Sequence, residues 1–71
     1  MADSDHVYKT IEITGSSGSS IEDAIQTAIR RTGESVHNLR WFEVKGIRGQ
    51  LTNGEVDHYQ VTLKIGFTVG G

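Results

Sequence analysis

Asn53-Gly54 sits between two long alternating runs, and no other feature of the chain restricts its folding as much. A type I′ turn needs positive φ at both central residues. Asparagine tolerates that and glycine adopts it freely, so the pair marks a two-residue hairpin. With such a loop Thr52 faces Glu55, and without a bulge each further pair follows by counting outward. Tyr59, Val61, Leu63, Ile65, Phe67 and Val69 then share one face with Phe42 and Val44. The reverse face carries Trp41, Glu43, Lys45 and Ile47, set opposite Gly66, Lys64, Thr62 and Gln60. The first face reads as core, so of the neighbouring rings Trp41 and Phe42 it is Trp41 that leaves the core.

Ahead of the hairpin, Val7–Thr14 is rich in β-branched residues and places Val7, Ile11 and Ile13 on one side, which predicts a first strand. The segment GSSGSS, residues 15–20, reads as a strand-to-helix loop. Ser19 or Ser20 can cap the helix that follows, with Glu22 or Asp23 completing a capping box. Ile21, Ala24, Ile25, Ala28 and Ile29 form its apolar stripe. Two arginines close it near Thr32, and Gly33 is read as a left-handed terminator. The order is strand, helix, strand, strand. If the helix carries the chain over so that the first two strands run parallel, the last fits between them, antiparallel to both. The predicted class is α+β: a β-α-β-β unit whose three-stranded antiparallel sheet curls over one helix.

Residues 1–71 leave room for a single domain, of a size at which burial is modest and stability marginal. Only 35% of the residues are hydrophobic and there is no cysteine, so neither a rich core nor a disulfide nor a cysteine-based zinc site can hold the fold. Burial between subunits is the remaining remedy. The expected outer face carries Trp41, Ile47 and Leu51, which a monomer would expose, and this predicts a closed homo-oligomer. No apolar run reaches the length of a membrane span or forms a signal peptide, so a soluble, cytoplasmic protein is expected. A net charge of −2 with scattered Lys and Arg gives no footprint for nucleic acid or an anionic membrane.

Three residues stand out as candidates for binding. An outward Trp41 opposite Gly66 puts a flat ring beside a missing side chain, which suits a subunit contact or a stacked ligand; the pattern alone favours the contact. Gln60, on the same face, offers an acceptor and two donors, enough to pair with the edge of a pyrimidine-like ring. Arg48 lies between Gly46 and Gly49 and by strict alternation points to the core side. Either it lies beyond the end of the helix or the glycines mark a bulge that turns it outward, to meet a carboxylate or a phosphate. The carboxylate is the more ordinary partner. The serine-rich loop matches no phosphate-binding fingerprint. His6, His37 and His58 lack metal-ligand spacing, and no nucleophile-base pair can be argued, so no catalytic residue and no metal site is expected.

From about Val7 to Phe67 the chain resembles the dodecin family, most specifically in NLRWFEV, IRG and HYQVTLKIGF. It departs from the family pattern in the glycine-serine loop, which replaces a frequent proline, and at Gly33. The resemblance implies a hollow homo-dodecamer that holds flavins in pairs at subunit interfaces and does not turn over a substrate. It further implies that Trp41 stacks on the isoalloxazine, that Gln60 bonds its pyrimidine edge, and that Arg48 lies near the ribityl or phosphate part. An arginine at position 48 matches the bacterial type, which favours FMN over riboflavin as cofactor, and some relatives suggest coenzyme A as a second ligand. The expected function is flavin storage and sequestration, with the indole quenching the flavin's photochemistry. The alternatives are a flavin-dependent redox enzyme, for which His58 is the only nearby proton donor, and a ligand-free structural shell.

Overall fold

The computed structural model describes residues 6–69. It contains β1 (Tyr8–Ser17), α1 (Ile21–Gly33), β2 (Leu39–Thr52) and β3 (Glu55–Thr68), in sheet order β1-β3-β2 with β3 antiparallel to both neighbours. This is the expected β-α-β-β unit. The first strand continues past Thr14 through Ser17, so half of the expected loop is strand. The reason lies at Gly15, which is buried beneath the helix. A Cβ there would collide with the Ala24 carbonyl and come within 2.7 Å of the Ala28 Cβ. A missing side chain on the strand and two alanines on the helix let the two backbones approach closely.

Ser20 is the N-cap, its Oγ accepting from the Asp23 N–H at 3.0 Å. The expected capping box takes a longer path. The Asp23 carboxylate accepts from the Ser17 hydroxyl at 2.7 Å, and Ser17 Oγ in turn accepts from the N–H groups of Ser19 and Ser20 at 2.9 and 3.3 Å. Strand end, loop and helix start are thereby one hydrogen-bonded unit. At the other end Gly33 is the last helical residue and does not terminate it by a left-handed turn. Glu34, in right-handed geometry, is the C-cap, and positive φ appears instead at Asn38, where the chain enters β2.

The hairpin turn is as expected, with φ of 54° at Asn53 and 79° at Gly54. Its register departs from the unbroken count in the middle, and once more at the start of β2, where Arg40 is an extra residue between Leu39↔Phe67 and Trp41↔Gly66. Asp57 is an extra residue on β3 between the pairs Leu51↔Val56 and Gln50↔His58, and Lys45 is an extra residue on β2 between Gly46↔Thr62 and Val44↔Leu63. The two bulges cancel, so Trp41 still faces Gly66, Glu43 faces Lys64 and Phe42 faces Ile65. Between them every pair slips by one. Ile47 therefore faces Val61 instead of Gln60, which moves it to the helix side of the sheet, and Arg48 faces Gln60.

The core consists of Val61, Leu63 and Ile65 of β3 against Ala24 and Ala28 of α1, with Ile11, Ile13, Ile21, Ile25, Ile29 and Leu39 packed around them. Phe42 and Val44, expected in this core, stay 47% and 40% exposed. Tyr59 and Phe67 are half-buried and Val69 is exposed. The cause is geometric. A helix of 13 residues is about 20 Å long and lies over β1 and β3. Phe42 and Val44, opposite the buried Ile65 and Leu63, therefore sit beside the helix and not under it, and strands of 14 residues, about 46 Å long, carry the hairpin end past it as well.

Candidate functional site

On the sheet face turned away from α1, Trp41 rests on Gly66. A Cβ at Gly66 would fall on the indole, 2.7 Å from Nε1 and closer still to Cε2 and Cζ2, so the ring occupies the space a side chain would need. Gly66 is itself buried while Trp41 is 39% exposed. One ring face thus lies on backbone and the other is open. Tyr8, on the far side of β3, meets the indole edge-on at 6.0 Å between centroids and 66° between planes, and His6 continues the row at 6.2 Å from Tyr8. Such a T-shaped contact is favoured by the ring quadrupoles and steadies the indole. The sequence reading did not include Tyr8. Its signal was available in the alternation that puts Tyr8 and Thr10 on the opposite side of the strand from Ile11 and Ile13.

Arg48 and Gln60 face each other across β2 and β3, on the same side of the sheet as Trp41. The Lys45 bulge turns the arginine outward, which decides between the two placements left open by the sequence. Arg48 is exposed and Gln60 half-buried. Gln60 Nε2 lies 3.3 Å from His58 Nε2, and His58 Nδ1 lies 2.8 Å from Asp57 Oδ2. Asp57 and His58 are adjacent in sequence, and in a regular strand their side chains would point apart; the bulge at Asp57 brings them together. Beyond Gln60 the same face continues with Thr62, whose hydroxyl meets that of Thr14 at 2.9 Å.

The structure therefore brings Arg48 to Gln60 but not to Trp41. Gly66, under the indole, is six residues along β3 from Gln60, or about 20 Å. Among the described residues no group of three or more His, Asp or Glu side chains is placed to hold a metal. No helix of the described chain is long and apolar enough to cross a membrane.

A strand-helix-strand-strand unit with an exposed indole on one face and uncovered apolar surface on the other is the class of small α+β subunit that this geometry defines. The family model described as Dodecin matches residues 7–70. A dodecin from Thermus thermophilus is 46% identical over 61 residues, which make up 86% of this chain and 88% of that protein. The dodecin of Streptomyces davaonensis superimposes with a TM-score of 0.88 at 42% identity, covering 93% of this chain and 97% of the other. The calcium dodecin of Mycobacterium tuberculosis, a calcium-chelating antigen with a novel calcium-binding site, is more distant. It has a TM-score of 0.78 at 31% identity and covers 90% of this chain and 91% of that one. The chain belongs to the dodecin family.

Proposed function

We propose that this dodecin binds and sequesters flavin, FMN in preference to riboflavin, at interfaces of a homo-dodecamer, and that it performs no turnover. The observation that carries the reading is the seat of Trp41 on Gly66, with one indole face supported and the other open. An isoalloxazine is a large, flat, electron-poor ring, and an open indole is the surface on which it stacks. The indole is also a good electron donor. Stacked on a photoexcited flavin, it returns the flavin to its ground state by electron transfer faster than the flavin can react with its surroundings.

The remaining contacts follow from charge and distance. Gln60 carries the donor and acceptor that an imide edge requires, and Arg48 beside it supplies a fixed positive charge for a phosphate. Because Gln60 lies about 20 Å from the indole of its own chain, the two reach one flavin only when they come from different subunits. Assembly is then what completes the binding site. A storage role asks for no general acid near the flavin, and His58, the residue a redox enzyme would need, is engaged with Asp57 and Gln60. Coenzyme A remains the candidate for a second ligand. Extraction of the purified protein should release a yellow chromophore identifiable as FMN, and adding FMN to stripped protein should quench flavin emission. Colourless protein that leaves added FMN fluorescent would refute the proposal.

A further inference from the structure

For a flavin held in one position, Gln60 can meet the imide edge in only one of its two amide orientations, and the residues behind it select which. Its Nε2 faces His58 Nε2 at 3.3 Å. An amide nitrogen has no lone pair to offer, so it donates, and the histidine nitrogen must be the acceptor. The ring proton of a neutral His58 then sits on Nδ1, where it is donated to the Asp57 carboxylate at 2.8 Å. We propose that Asp57 and His58 are positioning residues for Gln60: the carboxylate sets the imidazole tautomer, and the imidazole holds the amide with its carbonyl turned away toward the ligand. This inference rests on the flavin reading above.

The chemistry of the edge explains the consequence. The pyrimidine end of a flavin presents an N–H flanked by carbonyls. Gln60 in the held orientation presents its carbonyl to that N–H and keeps its second N–H for a neighbouring carbonyl. A protonated His58 carries hydrogen on both ring nitrogens, so Nε2 must donate and the amide must turn its carbonyl inward. Two donors then face the ligand and the imide N–H has lost its acceptor. The charged groups around this chain of contacts are few. Asp57 lies on β3 itself and Arg48 faces Gln60 from β2, where Gln50 faces His58. β1 contributes only Ser16 and Ser17 opposite Gln60 and Tyr59, and α1 packs on the other side of the sheet.

The test is a titration with riboflavin, which has no phosphate of its own to titrate, at about pH 8 and about pH 5, either side of the range in which histidine ordinarily changes charge. The assembled wild-type protein should bind about tenfold more weakly at the lower pH, the equivalent of one lost hydrogen bond. His58→Phe should bind with intermediate affinity and show no change between the two conditions, because its amide is neither held correctly nor held wrongly. An equal pH response in the variant and the wild type would overturn the assignment. Long-range ¹⁵N–¹H NMR of the unliganded wild type gives a second readout that needs neither flavin nor a folded variant. The Nδ1–H tautomer is expected at the higher pH, with the Gln60 amide signals moving together with the ring nitrogens on acidification. An Nε2–H tautomer, or a Gln60 amide that does not respond, would sink the positioning role even if flavin binds, whereas loss of riboflavin binding with the tautomer intact would indict the flavin reading alone.

Discussion

At the scale of single residues, the site depends on a side chain that is absent. Gly66 leaves the space that the Trp41 indole fills, and any Cβ there overlaps the ring. Trp41→Ala is expected to weaken flavin binding by about 1–3 kcal/mol, the range for a base stacked on an aromatic ring, without preventing assembly. Unchanged affinity in a flavin-fluorescence titration would remove the platform role. Trp41→Phe should bind better than the alanine variant yet quench less, since phenylalanine is the poorer electron donor; emission of the bound flavin reports this directly. Gly66→Ala tests the support from below. It should push the indole off its seat, shift the tryptophan emission, and cost affinity although no ligand contact has been mutated.

At the scale of elements, the crossing of α1 over β1 is the tightest point in the molecule. The Ala24 carbonyl and the Ala28 methyl both lie where a Gly15 side chain would go, and the first of these is helix backbone that cannot rotate aside. Gly15→Ala is therefore expected to destabilise the fold by at least the ~1–3 kcal/mol typical of an overpacked core, read as a lower midpoint in chemical denaturation. A midpoint equal to wild type would mean that the helix can lift from the strand without cost. The N-cap is a smaller term. Ser20→Ala should cost about 1 kcal/mol, and the linked bonds among Ser17, Asp23 and the Ser19 and Ser20 amides make loss of Ser17 comparable in effect.

At the scale of the whole molecule, the subunit measures 57 × 20 × 14 Å, too elongated for one short helix to cover. Phe42, Val44, Ile47, Leu51 and Val56 remain exposed in a row along β2 and its hairpin partner. Counting from the register pairs, all five lie on the helix side of the sheet: Phe42, Val44 and Ile47 face the buried Ile65, Leu63 and Val61 and so sit beside the helix, and Leu51 and Val56 lie further along the hairpin. An apolar strip of this length is unfavourable in water and is expected to be buried by other copies of the chain. Sedimentation should find a large closed assembly at micromolar concentration; a stable folded monomer would contradict both the burial argument and the interface site. Co-assembly of Trp41→Ala with Gln60→Ala subunits provides a sharper check. If each flavin takes its indole and its amide from different chains, mixed shells contain some intact sites and some doubly damaged ones. Their proportions should follow the mixing ratio.

The dodecin resemblance and the β-α-β-β order were legible because they rest on local chemistry: Asn53-Gly54 permits one kind of turn, the isoleucine and alanine stripe one kind of helix, and the motif around Trp41 is contiguous. The outward direction of Trp41 and its pairing with Gly66 were legible too, since counting from the turn gives the right answer once two opposed bulges cancel. The bulges themselves were not. Nothing in the residue types says that Asp57 and Lys45 are the ones left unpaired, because a bulge answers to the twist of the strands and to what each face must cover. That single slip carries Ile47 to the helix side, Arg48 to the face that holds Trp41, and the Asp57 carboxylate within reach of His58. The extent of the core was likewise beyond the sequence. Alternation says which face of β2 is apolar, but only the length and placement of the helix decided that Phe42 and Val44 lie outside its cover.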